Sequence, residues 1–181
     1  MSRRARWLGP LLALILTACG RQPGVPPSQA SAEAPANAAE GFDMIRLERD
    51  ACYGTCPVYA VEIRRDGKGS FIGKEHVKAK GPHEIRLVSA DIALMSSVLD
   101  RSGFWSLNDH YQSKEDGCEA MWTDQSGLSI SVVRQGKTKT VAFYHGCRGP
   151  AIPAEALNWL ADTVDYLANT RPLVFDPAAD R

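Results

Sequence analysis

From Phe42 onward, apolar side chains recur at a period of two, then of three to four, and the order is then repeated. Ile45 and Leu47 alternate with polar residues, and Tyr59, Val61 and Ile63 do the same ahead of Asp66-Gly67-Lys68-Gly69 and a third run from Ser70. Alternation of this kind turns one side of a strand to a core and the other to water, and a glycine-bearing turn between two such runs predicts a hairpin. Lys74, His76, Lys78 and Lys80 next alternate with Glu75, Val77 and Ala79. They are expected to form a solvated edge strand, guarded by lysines against pairing with other chains, in preference to a basic ligand site.

At Ser89 the period changes. Ser89 is the expected cap of a helix that carries Asp91 in its first turn, turns Ile92, Met95 and Leu99 to one side and stops at Gly103. Phe104, Trp105 and Leu107 are expected to close the core behind it. Leu128, Ile130 and Val132 then predict a strand, Gln135-Gly136-Lys137 a turn, and Val141 and Phe143 the returning strand. Pro153 suits the first turn of a second helix with a buried stripe of Leu157, Leu160, Val164 and Leu167, ended by Arg171-Pro172. These elements predict an α+β fold, an antiparallel sheet built from hairpins with two helices packed on one face. The repeated hairpin-then-helix order suggests a pseudo-repeat. One globular domain is expected over residues 42–172, with 173–181 as a C-terminal tail.

The residues ahead of this domain follow different rules. Arg3, Arg4 and Arg6 precede an apolar stretch from Trp7 to Leu16, and Leu16-Thr17-Ala18-Cys19 closes it. That ending resembles the lipobox of bacterial lipoproteins, which implies cleavage after residue 18 and acylation of Cys19. The stretch is too short for a bilayer core, which needs ~20 apolar residues, and Gly9-Pro10 interrupts it. Ser2-Arg3-Arg4 opens like a twin-arginine signal, but Arg6 stands where that signal carries an apolar residue, so the arginines read as plain charge. Gly20 is not the aspartate associated with inner-membrane retention. The expected location is the outer membrane, facing the periplasm. Residues 19–41, rich in Pro, Ala, Ser and Gln, cannot bury enough apolar surface to order themselves and read as a disordered tether. A flexible chain of that length would hold the domain roughly 25 Å from the membrane.

Lys plus Arg and Asp plus Glu balance at 21 each, so no basic face favours nucleic acid. With Cys19 assigned to lipid, Cys52, Cys56, Cys118 and Cys147 remain, an even set in an oxidising compartment where disulfides persist. Three connectivities are open to them. Cys52 with Cys56 and Cys118 with Cys147 is the expected one, because Gly54 allows a sharp turn and a bridge to Cys147 would pin the long segment from Asn108 to Ser126. Loop-closure entropy gives about 3.5 kcal/mol for the long loop and about 2 for the short one.

Cys52-Tyr53-Gly54-Thr55-Cys56-Pro57-Val58-Tyr59, flanked by Ile45-Arg46-Leu47 and by Val61-Glu62-Ile63 through Asp66-Gly67, resembles the signature of an uncharacterised bacterial domain family often found on lipoproteins. The likeness extends more loosely through Phe104, Tyr111 and Asp124 to the last hairpin. It implies no activity and no catalytic residues. The Cys-x3-Cys-Pro pair is also similar to that of copper-chaperone and thiol-redox proteins of the Sco type, which implies copper(I) or dithiol chemistry at Cys52 and Cys56, with His76, His83, His110 or His145 as a third ligand. In that fold the motif opens a helix, whose N-terminus lowers the thiol pKa. Here Pro57 leads into strand spacing, which favours a structural disulfide, and no two histidines stand at metal-ligand spacing.

The chain carries no Gly-x-Ser-x-Gly elbow, no His-Glu-x-x-His, no P-loop and no dinucleotide fingerprint. Asp109, Glu115, Asp116, Glu119 and Asp124 gather carboxylates in the pinned loop around His110, Tyr111 and Trp122, but a wet loop gathers charge without catalysis. If the domain has a binding surface, Tyr111, Trp122 and Asp124 are its expected place. The expectation is a membrane-anchored binding or structural module without assigned cofactor, metal or catalytic residue. The alternative is a copper-handling or thiol-disulfide protein.

Overall fold

The period-two runs become the strands of one seven-stranded sheet in the computed structural model, which describes residues 41–175. The expected signal segment, Cys19, the expected tether as far as residue 40 and residues 176–181 lie outside the described residues. Strands β1 (Met44–Arg49), β2 (Val58–Arg64), β3 (Lys68–Glu75) and β4 (Gly81–Arg86) precede helix α1 (Ser89–Arg101) and a 3-10 turn at Phe104–Ser106. Then come β5 (His110–Tyr111), β6 (Ala120–Met121), β7 (Gly127–Arg134), β8 (Lys137–Tyr144), β9 (Cys147–Arg148), α2 (Ala154–Leu167) and α3 (Arg171–Val174). The sheet order is β4-β3-β2-β1-β7-β8-β5, and β6 pairs with β9 apart from it. The fold is α+β.

Register explains the core. Ile45 lies opposite Ile63 and Val132, and Leu47 opposite Val61 and Ile130, so the apolar positions of neighbouring strands share one face. Met95, Val98 and Leu99 of α1 and Leu157, Leu160, Ala161 and Val164 of α2 join these side chains in one buried cluster. Each fully buried Leu, Ile or Phe contributes about 1.5–3 kcal/mol. The other face keeps Arg46, Glu48 and Glu62 in ion-paired contact with water.

Several expectations need correction. The sheet is not wholly antiparallel, because β5 pairs in parallel with β8. Ser89 is the first helical residue and not the cap: Val88 holds that position, and its N–H donates to the Asp91 carboxylate at 3.1 Å. The lysine run is no edge strand. β3 ends at Glu75, His76 turns the chain at φ 49°, Val77 is buried, and the edge is β4. Arg171-Pro172 does not end α2, which stops at Leu167 ahead of Asn169 at φ 50°; it begins α3, with proline where a missing N–H is harmless. The backbone N–H groups of Lys78 and Ala79 donate to the carbonyls of Val174 and Leu173, and Val174 is buried, so residues 173–175 belong to the domain and not to a tail. The two halves are unequal as repeats, with four strands ahead of α1 and two full ones between it and α2.

Candidate functional site

Arg49 follows Ile45 and Leu47 on the side of β1 that faces the core, and its register partner Tyr59 follows the same rule on β2. A guanidinium at the end of an apolar row must find acceptors or leave a desolvated charge. Helix α2 supplies them from Asp162 and Asp165, three residues apart and so on one side of the helix. Arg49 Nε donates to Asp165 Oδ2 at 2.8 Å and Nη2 to Asp162 Oδ1 at 2.8 Å. Asp165 Oδ1 accepts from the Tyr59 hydroxyl at 2.9 Å and from Thr170 Oγ1 at 3.0 Å. Burial opposes the charge of Arg49 more than any single partner favours it, yet Asp165, Tyr59 and Asp162 together hold the guanidinium above its ordinary value. Burial, reinforced by the same carboxylate, pushes the Tyr59 phenol up. Tyr59 therefore remains an O–H donor and is no general base.

This network forms one wall of a cleft of about 560 Å³ at the end of the sheet. The β1–β2 connection, closed by the Cys52–Cys56 disulfide, supplies Asp50, Cys56 and Pro57, while Ser126 and Gly127 come from the start of β7. Asn169, Arg171, Val174 and Phe175 complete it from the C-terminal side. Tyr166 and Phe175 stand at its rim, 81% and 50% exposed. Partial desolvation, with the charge of Glu48 nearby, raises the Asp50 carboxyl above its ordinary range.

Ser126, His145 and Asn158 also meet at this end of the sheet. His145 Nδ1 lies 3.2 Å from Ser126 Oγ and 3.0 Å from the Ser126 carbonyl, and Nε2 lies 2.9 Å from Asn158 Oδ1. The trio ties the start of β7 and the end of β8 to α2.

Both expected disulfides are present, Cys52–Cys56 and Cys118–Cys147, the second pair buried. Pro57 leads directly into β2, so no helix opens at the Cys-x3-Cys motif. Among the described residues, no three of His, Cys, Asp or Glu are grouped to hold a metal ion, and no helix is long and apolar enough to cross a membrane.

The long loop does not assemble the surface expected of it. Tyr111 is only 5% exposed, lies opposite Phe143 in β5 and accepts the Asn108 N–H at its hydroxyl, so it belongs to the core. Trp122 is exposed under the guanidinium of Arg148, 4.3 Å from its ring centroid, and Asp124 sits in an exposed turn at φ 66°. The hydrogen bond from Lys139 holds Asp109 below the usual range, and backbone N–H groups of Gln112 and Ser113 do the same for Asp116. A second concavity, about 700 Å³ between α1 and the β2–β3 turn, is lined by short side chains such as Ala93, Ser96 and Ser97 and by Arg65, Asp66, Asp100 and Arg101; Arg65 donates to the Phe42 carbonyl and pairs with Asp43, and Asp100 pairs with Arg134.

The cleft escaped the sequence reading although three of its residues, Cys56, Pro57 and Tyr59, lie in the motif singled out there. The available signal was a charge, Arg49, at the next core position after Ile45 and Leu47, together with Asp162 and Asp165 a helical turn apart. In comparisons with known proteins, a domain of unknown function, DUF6438, matches residues 43–168. None of the curated proteins compared with the chain matches it.

Proposed function

The chain belongs to the DUF6438 family, and from that premise we propose that it is a lipid-anchored binding module of the bacterial envelope whose ligand site is the cleft beside Arg49 and Cys56. One observation carries the reading: the cleft joins an internally satisfied polar wall to an exposed aromatic rim. A concavity of this size with apolar walls and a few fixed polar groups is the ordinary form of a ligand site. The polar wall is already organised before anything binds, so little ordering is left for the ligand to impose. Its ionisable groups support binding over chemistry, because Arg49, Asp165 and Tyr59 satisfy one another.

The lipobox-like Leu16-Thr17-Ala18-Cys19 supports an anchor at Cys19, and Gly20 supports the outer membrane with the domain facing the periplasm. The neighbouring disulfide supplies the competing reading, a thiol-redox or copper-handling protein, since Cys56 lines the same cleft. A photo-crosslinking residue placed at Tyr166 in the anchored protein tests the site. It should give adducts in growing cells that the same residue at Trp122 does not. Adducts at position 122 alone would move the binding surface to the Cys118–Cys147 loop.

A further inference from the structure

The charges that line the cleft divide into committed and uncommitted ones. Arg49 is shared between Asp162 and Asp165, and these three close on themselves. Asp50 and Arg171 remain. Both are exposed, and neither side chain has a hydrogen bond or ion pair among the described residues; Lys74, whose charge acts on Asp50, reaches Glu48 at 3.5 Å. Asp50 lies against Gly127, where a Cβ would stand 3.2 Å from Asp50 Oδ2.

We propose that the cleft takes a zwitterionic ligand, an amino acid or short peptide with free termini, its ammonium on Asp50, its carboxylate on Arg171 and its side chain against Tyr166 and Phe175. This rests on the cleft being the binding site and adds the class of ligand. A ligand that is only anionic meets Asp50 with nothing to offer it, and one that is only cationic leaves Arg171 unpaired. A neutral sugar would cover both charges without pairing either, and burying a charge unpaired is unfavourable. A ligand with one charge of each sign satisfies both. The aromatic rim then favours an apolar or aromatic side chain between the two ends.

Titration of the full-length anchored protein in detergent with alanyl-phenylalanine, its N-acetyl form and its C-terminal amide tests this. Each capped form should bind about ten-fold more weakly or worse, since each loses one charge-assisted contact. Asp50→Asn should remove the preference for a free amine and keep that for a free carboxylate, and Arg171→Gln should do the reverse. Both residues lie outside the Arg49–Asp165 network, and an unchanged melting temperature confirms that each variant folds. Equal binding of capped and free dipeptides, preferences unmoved by either substitution, or no dipeptide binding at millimolar concentration would each overturn the proposal. Crosslinking at residue 166 keeps the two ideas apart: adducts there without dipeptide binding leave the cleft a site for another ligand, whereas no adducts there remove the site itself.

Discussion

Asp165→Asn is the substitution that reaches furthest into the cleft wall. The Asp165 side chain is 16% exposed and that of Arg49 21%, so the pair is mostly withdrawn from water. Removing one member of a fully buried pair costs about 3–5 kcal/mol, because the survivor stays desolvated without a partner. The residual exposure and the contact with Asp162, 2.8 Å away but well exposed, reduce this to about 2–3 kcal/mol. Tyr59→Phe removes one hydrogen bond to the same carboxylate and should cost about 1–2 kcal/mol. Because both changes act on the Asp165 carboxylate, the double variant should fall short of the sum by about 0.5–1 kcal/mol. Urea unfolding of the four proteins measures these differences, and in thermal unfolding, at roughly 4 °C per kcal/mol, the Asp165→Asn midpoint should fall by about 10 °C. Strict additivity, or an Asp165→Asn variant within about 0.5 kcal/mol of the parent, would refute the network as the support of the cleft.

Other consequences follow from the same structure. Burial and Asp165 raise the Tyr59 phenol, so the folded state holds its proton after the unfolded chain has released it. The contribution is complete below about pH 10 and is lost as pH rises beyond it, so Tyr59→Phe should flatten the alkaline fall in stability seen by circular dichroism. Gly146→Ala should destabilise by about 1–3 kcal/mol in thermal unfolding, since a Cβ there meets the Trp122 carbonyl and the Tyr144 ring. Cys19→Ser should move the protein out of the membrane fraction and abolish labelling with a fatty-acid probe, and unchanged partitioning would remove the anchor.

Strands with strict alternation were legible because one face is buried: Ile45, Leu47, Tyr59, Val61, Ile63, Leu128, Ile130 and Val132 all face the core. The cysteine pairs were legible for a different reason, the even count and the long loop that needed pinning. What escaped was set by tertiary contact. β4 reads Gly-Pro-His-Glu-Ile-Arg, with Ile85 its only buried side chain, and it exists because β3 offers an edge. Tyr111 reads as a loop aromatic in the sequence because its pairing with β8 spans some thirty residues, too far for any local pattern. The cleft is non-local in the same sense, joining Arg49 to Asp165 across 116 positions. A charge that breaks a run of core residues is the trace such a contact leaves in a sequence.

The reading of the cleft as a binding site rather than a redox centre is tested most directly by the reduction potential of Cys52–Cys56, in protein carrying Cys118→Ser and Cys147→Ser and shown by circular dichroism to fold. A bridge that closes the β1–β2 connection and shapes one wall should resist thiol reagents in the native state, with a potential below about −300 mV as for stable secreted disulfides. Reduction between about −120 and −270 mV without unfolding, in the range of dedicated exchange proteins, would contradict the account and make Cys52 and Cys56 the working residues.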